Sequence, residues 1–356
     1  MPVPRRIEIR QPVHILILFL IVQFGGLLLA SLIFSSPQTT LTQASSQGIG
    51  TLTVIYYFGF IILFAVLILL IIRIYKGDII FTLLEAFTVI ATAFFVFLIV
   101  IGYLFPQADF TAVGPIALIL AIALMYAKIK RQNLRNAVAI ISSMGFGVVL
   151  GVSFGFAASF LLMALVAVYD YVAVFITKHM ITMAKAMSNR NMAVLIGSSD
   201  VEIVPRSALK ASQSEYKKYI SEVKKAKNPL LNKIIKRGEV PLVSQVMLGG
   251  GDLGLPLMLS VSAFFVFLNY FLSIALIIGA VAGQILTMLL LQKYMRGLPA
   301  IPPLFASMSI ALGLALLLVP GQDLTLSMAL VVLGIAVFAV MVTTLERLKA
   351  KESKTK

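Results

Sequence analysis

Cysteine is absent from the 356-residue chain and histidine occurs only twice. The first absence excludes disulfides, thiolate nucleophiles and cysteine-based zinc or iron–sulfur sites, and it leaves the redox compartment undetermined. His14 and His179 stand at the edges of apolar runs, which argues against a catalytic zinc held by several imidazoles. Charge is also scarce: 12% of residues are charged, 60% are hydrophobic and the mean hydropathy is +1.03. A soluble domain of this length needs far more charge to cover its surface, so the composition points to a bilayer. The net charge of +15 would suggest nucleic acid in a soluble protein. Here its distribution along the chain has another explanation, and no nucleic-acid partner is expected.

A helix that crosses the hydrocarbon needs about 20 apolar residues. Ten runs qualify: 14–34, 52–72, 79–104, 110–127, 136–152, 156–176, 242–267, 270–292, 302–319 and 324–345. Only Gly151-Val152-Ser153-Phe154-Gly155 divides the fifth from the sixth. All 29 Lys and Arg fall at the N-terminus, in the even-numbered gaps or in the tail, and none falls in an odd-numbered gap. Ten spans therefore put every positive charge on one side, which the positive-inside rule assigns to the cytoplasm. Merging the fifth and sixth runs would destroy that alternation. A cleaved signal peptide is an alternative for the first run, because a basic stretch precedes apolar residues ending at Ala30-Ser31. The run from His14 to Phe34 is longer than the usual apolar core of about 7–15 residues, which favours an uncleaved span.

The expected organisation is a cytoplasmic N-terminus (1–13), five spans (14–152), a sixth (153–177), a basic cytoplasmic loop (178–240), three spans (241–319), a last span (320–346) and a cytoplasmic tail (347–356). No internal repeat is evident, which disfavours an inverted-repeat transporter. The loop mixes short apolar stretches (Met192–Ile196, Val201–Val204, Val240–Val243) with a basic, helix-compatible stretch at 212–237. For most of its length it reads as a solvated connection.

Of the 14 acidic residues, Glu85, Asp170 and Asp252 fall inside predicted spans. An ionised carboxylate at a helix centre costs about 2.5–3.5 kcal/mol on insertion scales, so each such acid needs a reason. Glu85 lies near the cytoplasmic end of its span, where it can reach the interface or a neighbouring helix; a structural role is expected. Asp170 lies about seven residues above the end of the descending sixth run, roughly 10 Å at 1.5 Å per residue. Asp252 lies at a comparable depth in the rising seventh run. Opposite directions and matched depths let the two carboxyls face each other. Two carboxyls in one site do not both ionise easily, so such a pair holds a single proton. That state suits aspartyl proteolysis, and a proton or cation relay equally well.

Glycine surrounds the second acid in Leu248-Gly249-Gly250-Gly251-Asp252-Leu253-Gly254-Leu255-Pro256. So much glycine weakens a helix, and irregular backbone at this depth is tolerated only beside protein or a water-filled cavity. A close-packed interface of small residues is the structural alternative. With an aspartate embedded in it, an active site is the better reading.

Val168-Tyr169-Asp170-Tyr171-Val172-Ala173-Val174 resembles the Tyr-Asp motif of presenilins. Gly249-Gly250-Gly251-Asp252 matches the Gly-x-Gly-Asp motif of the wider class, and Leu298-Pro299-Ala300-Ile301-Pro302 resembles its Pro-Ala-Leu motif with Ile301 in place of leucine. Over roughly residues 14 to 319 the chain resembles the presenilin and signal peptide peptidase family of intramembrane aspartyl proteases. The resemblance implies an all-α polytopic bundle of nine family spans, with 324–345 an extra tenth. It implies Asp170 and Asp252 as the catalytic pair, and Tyr169, Gly249, Gly251, Pro299, Ala300 and Ile301 as lining residues. Pro256 looks more like signal peptide peptidases and Tyr169–Val174 more like presenilins, a mixture similar to archaeal homologues. A cytoplasmic 178–240 loop matches presenilins, whereas signal peptide peptidases have the opposite topology.

The expected activity is cleavage of peptide bonds in transmembrane helices near their cytoplasmic ends, in a multi-pass protein of the cell membrane. Water activated between two carboxyls suffices, so no cofactor or metal is expected. The partners are the bilayer and transmembrane segments of substrates, with accessory subunits left open. Leu242 and Val243, near the cytoplasmic mouth, are candidates for pairing with an unwound substrate strand. The alternatives are an ion-coupled transporter and a prepilin-type peptidase, which shares the Gly-x-Gly-Asp aspartate.

Overall fold

A computed structural model of the chain describes residues 10–35, 51–74, 79–131, 134–177, 195–205, 239–294, 298–319 and 324–353. The expected helix-compatible stretch 212–237, most of the 178–240 loop around it and residues 1–9 lie outside the described residues. Ten α-helices are present among them: α1 (Arg10–Ser35), α2 (Thr51–Ile74), α3 (Ile79–Leu104), α4 (Phe110–Lys130), α5 (Arg135–Ser153), α6 (Phe156–Tyr171), α7 (Gly250–Phe267), α8 (Tyr270–Tyr294), α9 (Ile301–Leu317) and α10 (Leu324–Ser353). The protein is a polytopic helical bundle. Eight of these helices are long and apolar enough to cross a membrane by length and composition; the apolar stretch Thr53–Ile68 of α2 and α9 are shorter.

The chain divides into two compact units, residues 1–15 with 197–247, and residues 16–196 with 248–356. Most of β1 (Leu195–Pro205) and β2 (Glu239–Gly249), which pair as a two-stranded sheet, belongs to the first. This corrects one boundary. The sequence reads the seventh run as helix from 242, yet residues 239–249 are extended and α7 starts at Gly250. Pro241 and the β-branched Val240, Val243 and Val246 disfavour helix, and the glycines from 249 onward supply no propensity to extend it backward.

In the second unit, α5 and α6 are separate helices. Phe154 and Gly155 adopt extended backbone (ψ 131° and 164°) and the N–H of Ser159 restarts the ladder on the Gly155 carbonyl at 2.9 Å. The α7–α8 turn is equally short: Leu268 is left-handed at φ 49°, and Asn269 Oδ1 accepts the Phe271 N–H at 2.8 Å.

Helix α7 is central. Every residue from Leu253 to Phe264 is buried, as expected of a helix enclosed on all sides. Backbones approach it closely through glycine. A Cβ on Gly147 of α5 would stand 2.8 Å from the Gly254 carbonyl oxygen, and one on Gly151 would stand 2.8 Å from that of Met258. The same device joins α8 to α9, where a Cβ on Gly283 would meet Leu304 Cα at 2.7 Å. It joins α9 to α10, where one on Gly313 would meet the Ser327 carbonyl at 2.6 Å. Small residues that let backbones touch are how helices associate where lipid supplies no hydrophobic drive. Conversely α2 exposes Tyr56, Phe60, Leu63 and Leu70, and α10 exposes Val332 and Ile335, surfaces suited to acyl chains.

Glu85 of α3 is 4% exposed and receives Lys128 Nζ of α4 at 2.7 Å. The first of the three intramembrane acids thus pairs with a neighbouring helix.

Candidate active site

Asp170 is one residue from the C-terminal end of α6 and only 6% exposed. Immediately beyond, Val172–Ile176 widen into a π-helical turn, in which the Thr177 N–H bonds to the Val172 carbonyl five residues back at 3.0 Å. π-turns inside α-helices occur often at functional sites, because the extra residue re-aims the side chains around it. Here it separates the acid-bearing stretch from the end of the span.

Asp252 lies in the first turn of α7, after the strand β2 and the glycine-rich junction. Gly249 is the N-cap, with extended backbone (φ −72°, ψ 148°), and its N–H donates to Asp252 Oδ2 at 3.2 Å. This is the return half of a capping box, in which an acid at the third helical position satisfies the N-cap donor. A Cβ on Gly249 would sit 3.2 Å from that same oxygen, so a side chain there would crowd the carboxyl. Gly251 is exposed, and a Cβ built on it would meet nothing within 4 Å. Pro256 lacks the N–H that would bond the Asp252 carbonyl, which further loosens this turn.

The third element is the start of α9. Pro299 is buried and Ala300 is the N-cap. The Ile301 N–H, which has no intrahelical acceptor at this position, donates to Asp170 Oδ2 at 3.2 Å. The Ala300 N–H faces the same carboxyl, and Asp252 lies within electrostatic reach of Asp170. Of the residues singled out in the sequence, Asp170, Asp252, Gly249, Ala300 and Ile301 are thereby joined by direct contacts or electrostatics. Tyr169 is half-buried beside Asp170. Leu242 and Val243 lie in β2, in the other compact unit, ten and nine residues before Asp252 in the chain.

A family model described as signal-peptide peptidase, presenilin aspartyl protease matches residues 16–320. The chain belongs to this family. Two crystal forms of a presenilin family intramembrane aspartate protease share the fold. The C222 form aligns with TM-score 0.51 and 18% identity over 86% of this chain and 98% of that one. The P2 form aligns with TM-score 0.54 and 18% identity over 88% and 99%. No curated protein matches by sequence. Family and fold are those of intramembrane aspartyl proteases, and the helices are those of a multi-pass membrane protein.

Two polar contacts at this presenilin-type site were not anticipated. Gln23 of α1 is fully buried and its Nε2 donates at 2.9 Å to the carbonyl of Leu253, the residue after Asp252. Its signal is a lone amide in an apolar span, followed by Gly25-Gly26, where a Cβ on Gly26 would overlap Leu257. The hydroxyl of Tyr171, next to Asp170, lies 2.7 Å from Thr344 Oγ1 of α10. Nothing in either local sequence points to the other.

Proposed function

We propose that the chain is an intramembrane endopeptidase in which Asp170 and Asp252 activate water against a peptide bond of a transmembrane helix. The observation that carries this reading is the Asp170 carboxyl of α6, bonded to the backbone donor at the start of α9, with the Asp252 carboxyl of α7 within electrostatic reach of it. An isolated acid at this depth would be costly; a pair with shared surroundings has chemistry to perform. The family match adds weight to the protease over an ion relay or a prepilin-type enzyme.

In this reading one carboxylate takes a proton from water as the water oxygen bonds to the scissile carbonyl carbon. The other, protonated, donates to the carbonyl oxygen, and a neutral gem-diol forms. Its collapse breaks the C–N bond, the departing nitrogen takes a proton from one carboxyl, and the diol returns one to the other. The pair is restored with its single proton, and no metal or cofactor is consumed. The Ile301 and Ala300 N–H groups fix the orientation of Asp170 through the cycle. Gly249 keeps side-chain bulk off Asp252, and Gly251 leaves room for an extended substrate backbone. Pro299 holds the α9 start in place, and Tyr169 lines the side of the cleft beside Asp170.

The substrates are membrane proteins cut near the cytoplasmic ends of their spans, and β2, through Leu242 and Val243, is a candidate edge for the unwound substrate strand. The N-terminus, the 178–240 segment and the tail face the cytoplasm of a cell-membrane protein, since all 29 basic residues then lie on one side. The test is cleavage of a single-span peptide by purified protein in detergent. Asp170→Asn and Asp252→Asn should each abolish it while keeping the wild-type melting temperature. Cleavage that survives either substitution refutes the dyad.

A further inference from the structure

The family match ends at residue 320, and α10 begins at Leu324. This helix is nevertheless fastened to the residues around Asp170. Thr344 Oγ1 donates to the Val340 carbonyl at 2.8 Å, which uses its only proton, so the 2.7 Å contact with Tyr171 has the tyrosine O–H as donor. One turn earlier and one residue later on the same face, Met341 and Leu345 are buried with Leu290. Phe175 of the π-turn and Leu298 of the loop before α9 pack against them. Tyr171 and Phe175 themselves meet edge to face at 5.1 Å. The α9–α10 contact is close along its length, since a Cβ on Gly334 would meet the Ala306 carbonyl at 2.5 Å.

These contacts bear on one distance. Asp170 is bonded to Ile301, so the separation of the α6 end from the α9 start decides whether that bond holds. The α6 end is a π-turn, and α9 starts directly after the non-helical residues 298–300. Helix α10 touches both, through Tyr171 and Phe175 on one side and Leu298 on the other.

We propose that α10 is a positioning helix for the active site, with Thr344 as the positioning residue that holds the Asp170 end of α6 against the Leu298–Ile301 turn. This rests on the dyad reading above. It makes the segment beyond the family match a working part of this enzyme rather than an appended anchor.

The experiment uses full-length protein in detergent with a fluorogenic single-span peptide, and compares wild type with Tyr171→Phe, Thr344→Val, Thr344→Ser and the Tyr171→Phe/Thr344→Val double variant. Loss of one positioning hydrogen bond should lower kcat about three- to tenfold in Tyr171→Phe and in Thr344→Val, with KM unchanged. Thr344→Ser, which keeps the hydroxyl, should restore kcat, and the double variant should be no slower than the worse single one. Hydrogen exchange over residues 298–304 should quicken in Thr344→Val, a readout that does not depend on turnover. Wild-type kcat in Thr344→Val, failure of Thr344→Ser to restore it, or unchanged exchange at Ile301 overturns the proposal. Asp170→Asn and Asp252→Asn serve as controls. Cleavage surviving in either sinks the dyad itself, whereas normal Thr344→Val turnover in a dyad-dependent enzyme sinks only the role of α10.

Discussion

Gly147→Ala adds a methyl group where α5 meets α7, and the surroundings dictate what must move. The new Cβ would lie 2.8 Å from the Gly254 carbonyl oxygen and 2.7 Å from Leu257 Cδ2. A carbon and a carbonyl oxygen in ordinary contact stand about 3.3 Å apart, so roughly 0.5 Å of separation is needed. Leu257 can rotate, but a carbonyl in the middle of a helix cannot. Helix α5 cannot retreat either, because two positions earlier Gly145 already touches the Thr92 carbonyl of α3. The displacement therefore falls on α7, two residues beyond Asp252.

Overpacking of this kind costs about 1–3 kcal/mol of stability. The rate should suffer in addition, because a misplacement of about 1 Å in a catalytic constellation can cost on the order of 100-fold. Half that shift suggests roughly tenfold in kcat. Gly59→Ala is the matched control: a Cβ there meets nothing within 4 Å, so only the helix-propensity gain of about 1 kcal/mol remains. The assay is thermal unfolding in detergent alongside peptide cleavage for both variants. Wild-type stability and turnover in Gly147→Ala would refute the claim that α5 sets the position of the Asp252 turn.

Gln23→Leu should lower stability by about 1 kcal/mol through loss of the bond to the Leu253 carbonyl, read as a lower melting temperature; an unchanged midpoint would remove Gln23 from the α1–α7 contact. Glu85→Ala leaves Lys128 half-buried and without this partner, and should destabilise by about 2 kcal/mol after discount for the ability of lysine to reach the interface. The Glu85→Leu/Lys128→Met pair should recover most of that loss, and a double variant as unstable as Glu85→Ala would contradict the pairing. Leu242→Gly with Val243→Gly should impair cleavage of the single-span peptide while leaving the melting temperature of the bundle unchanged; full turnover in that variant would dismiss strand addition at β2.

The helices were legible because lipid imposes length and apolarity on every span, and each of the ten expected runs overlaps one described helix. Their neighbours were not legible, for the same reason. In water an amphipathic stripe shows which face is inside, but a helix in lipid is apolar all round and carries no such mark. Hence Gly283 could be recognised as small but not as the place where α8 meets Leu304, and the Tyr171–Thr344 contact, 173 residues apart in sequence, left no trace. The misplaced start of α7 has a local cause. A count of apolar residues sees Leu242, Val243 and Val246 as span, whereas Pro241 and the β-branched run favour a strand.

The site also shows why three short motifs belong together. A carboxyl in a bilayer needs hydrogen-bond partners, and a helix that begins inside a bilayer leaves backbone N–H groups without acceptors. Each problem answers the other here. The first turn of α7 offers the Gly249 N–H, and Asp252 accepts it; the first turn of α9 offers the Ile301 N–H, and Asp170 accepts it across from α6. Remove the proline-limited start of α9 and Asp170 loses its donor; remove Asp252 and the α7 start loses its cap. The Gly-x-Gly-Asp segment thus caps itself and the Tyr-Asp and Pro-Ala segments cap each other, with the two acids in electrostatic reach, so that backbone irregularity costly elsewhere in the membrane is satisfied by the acids it positions.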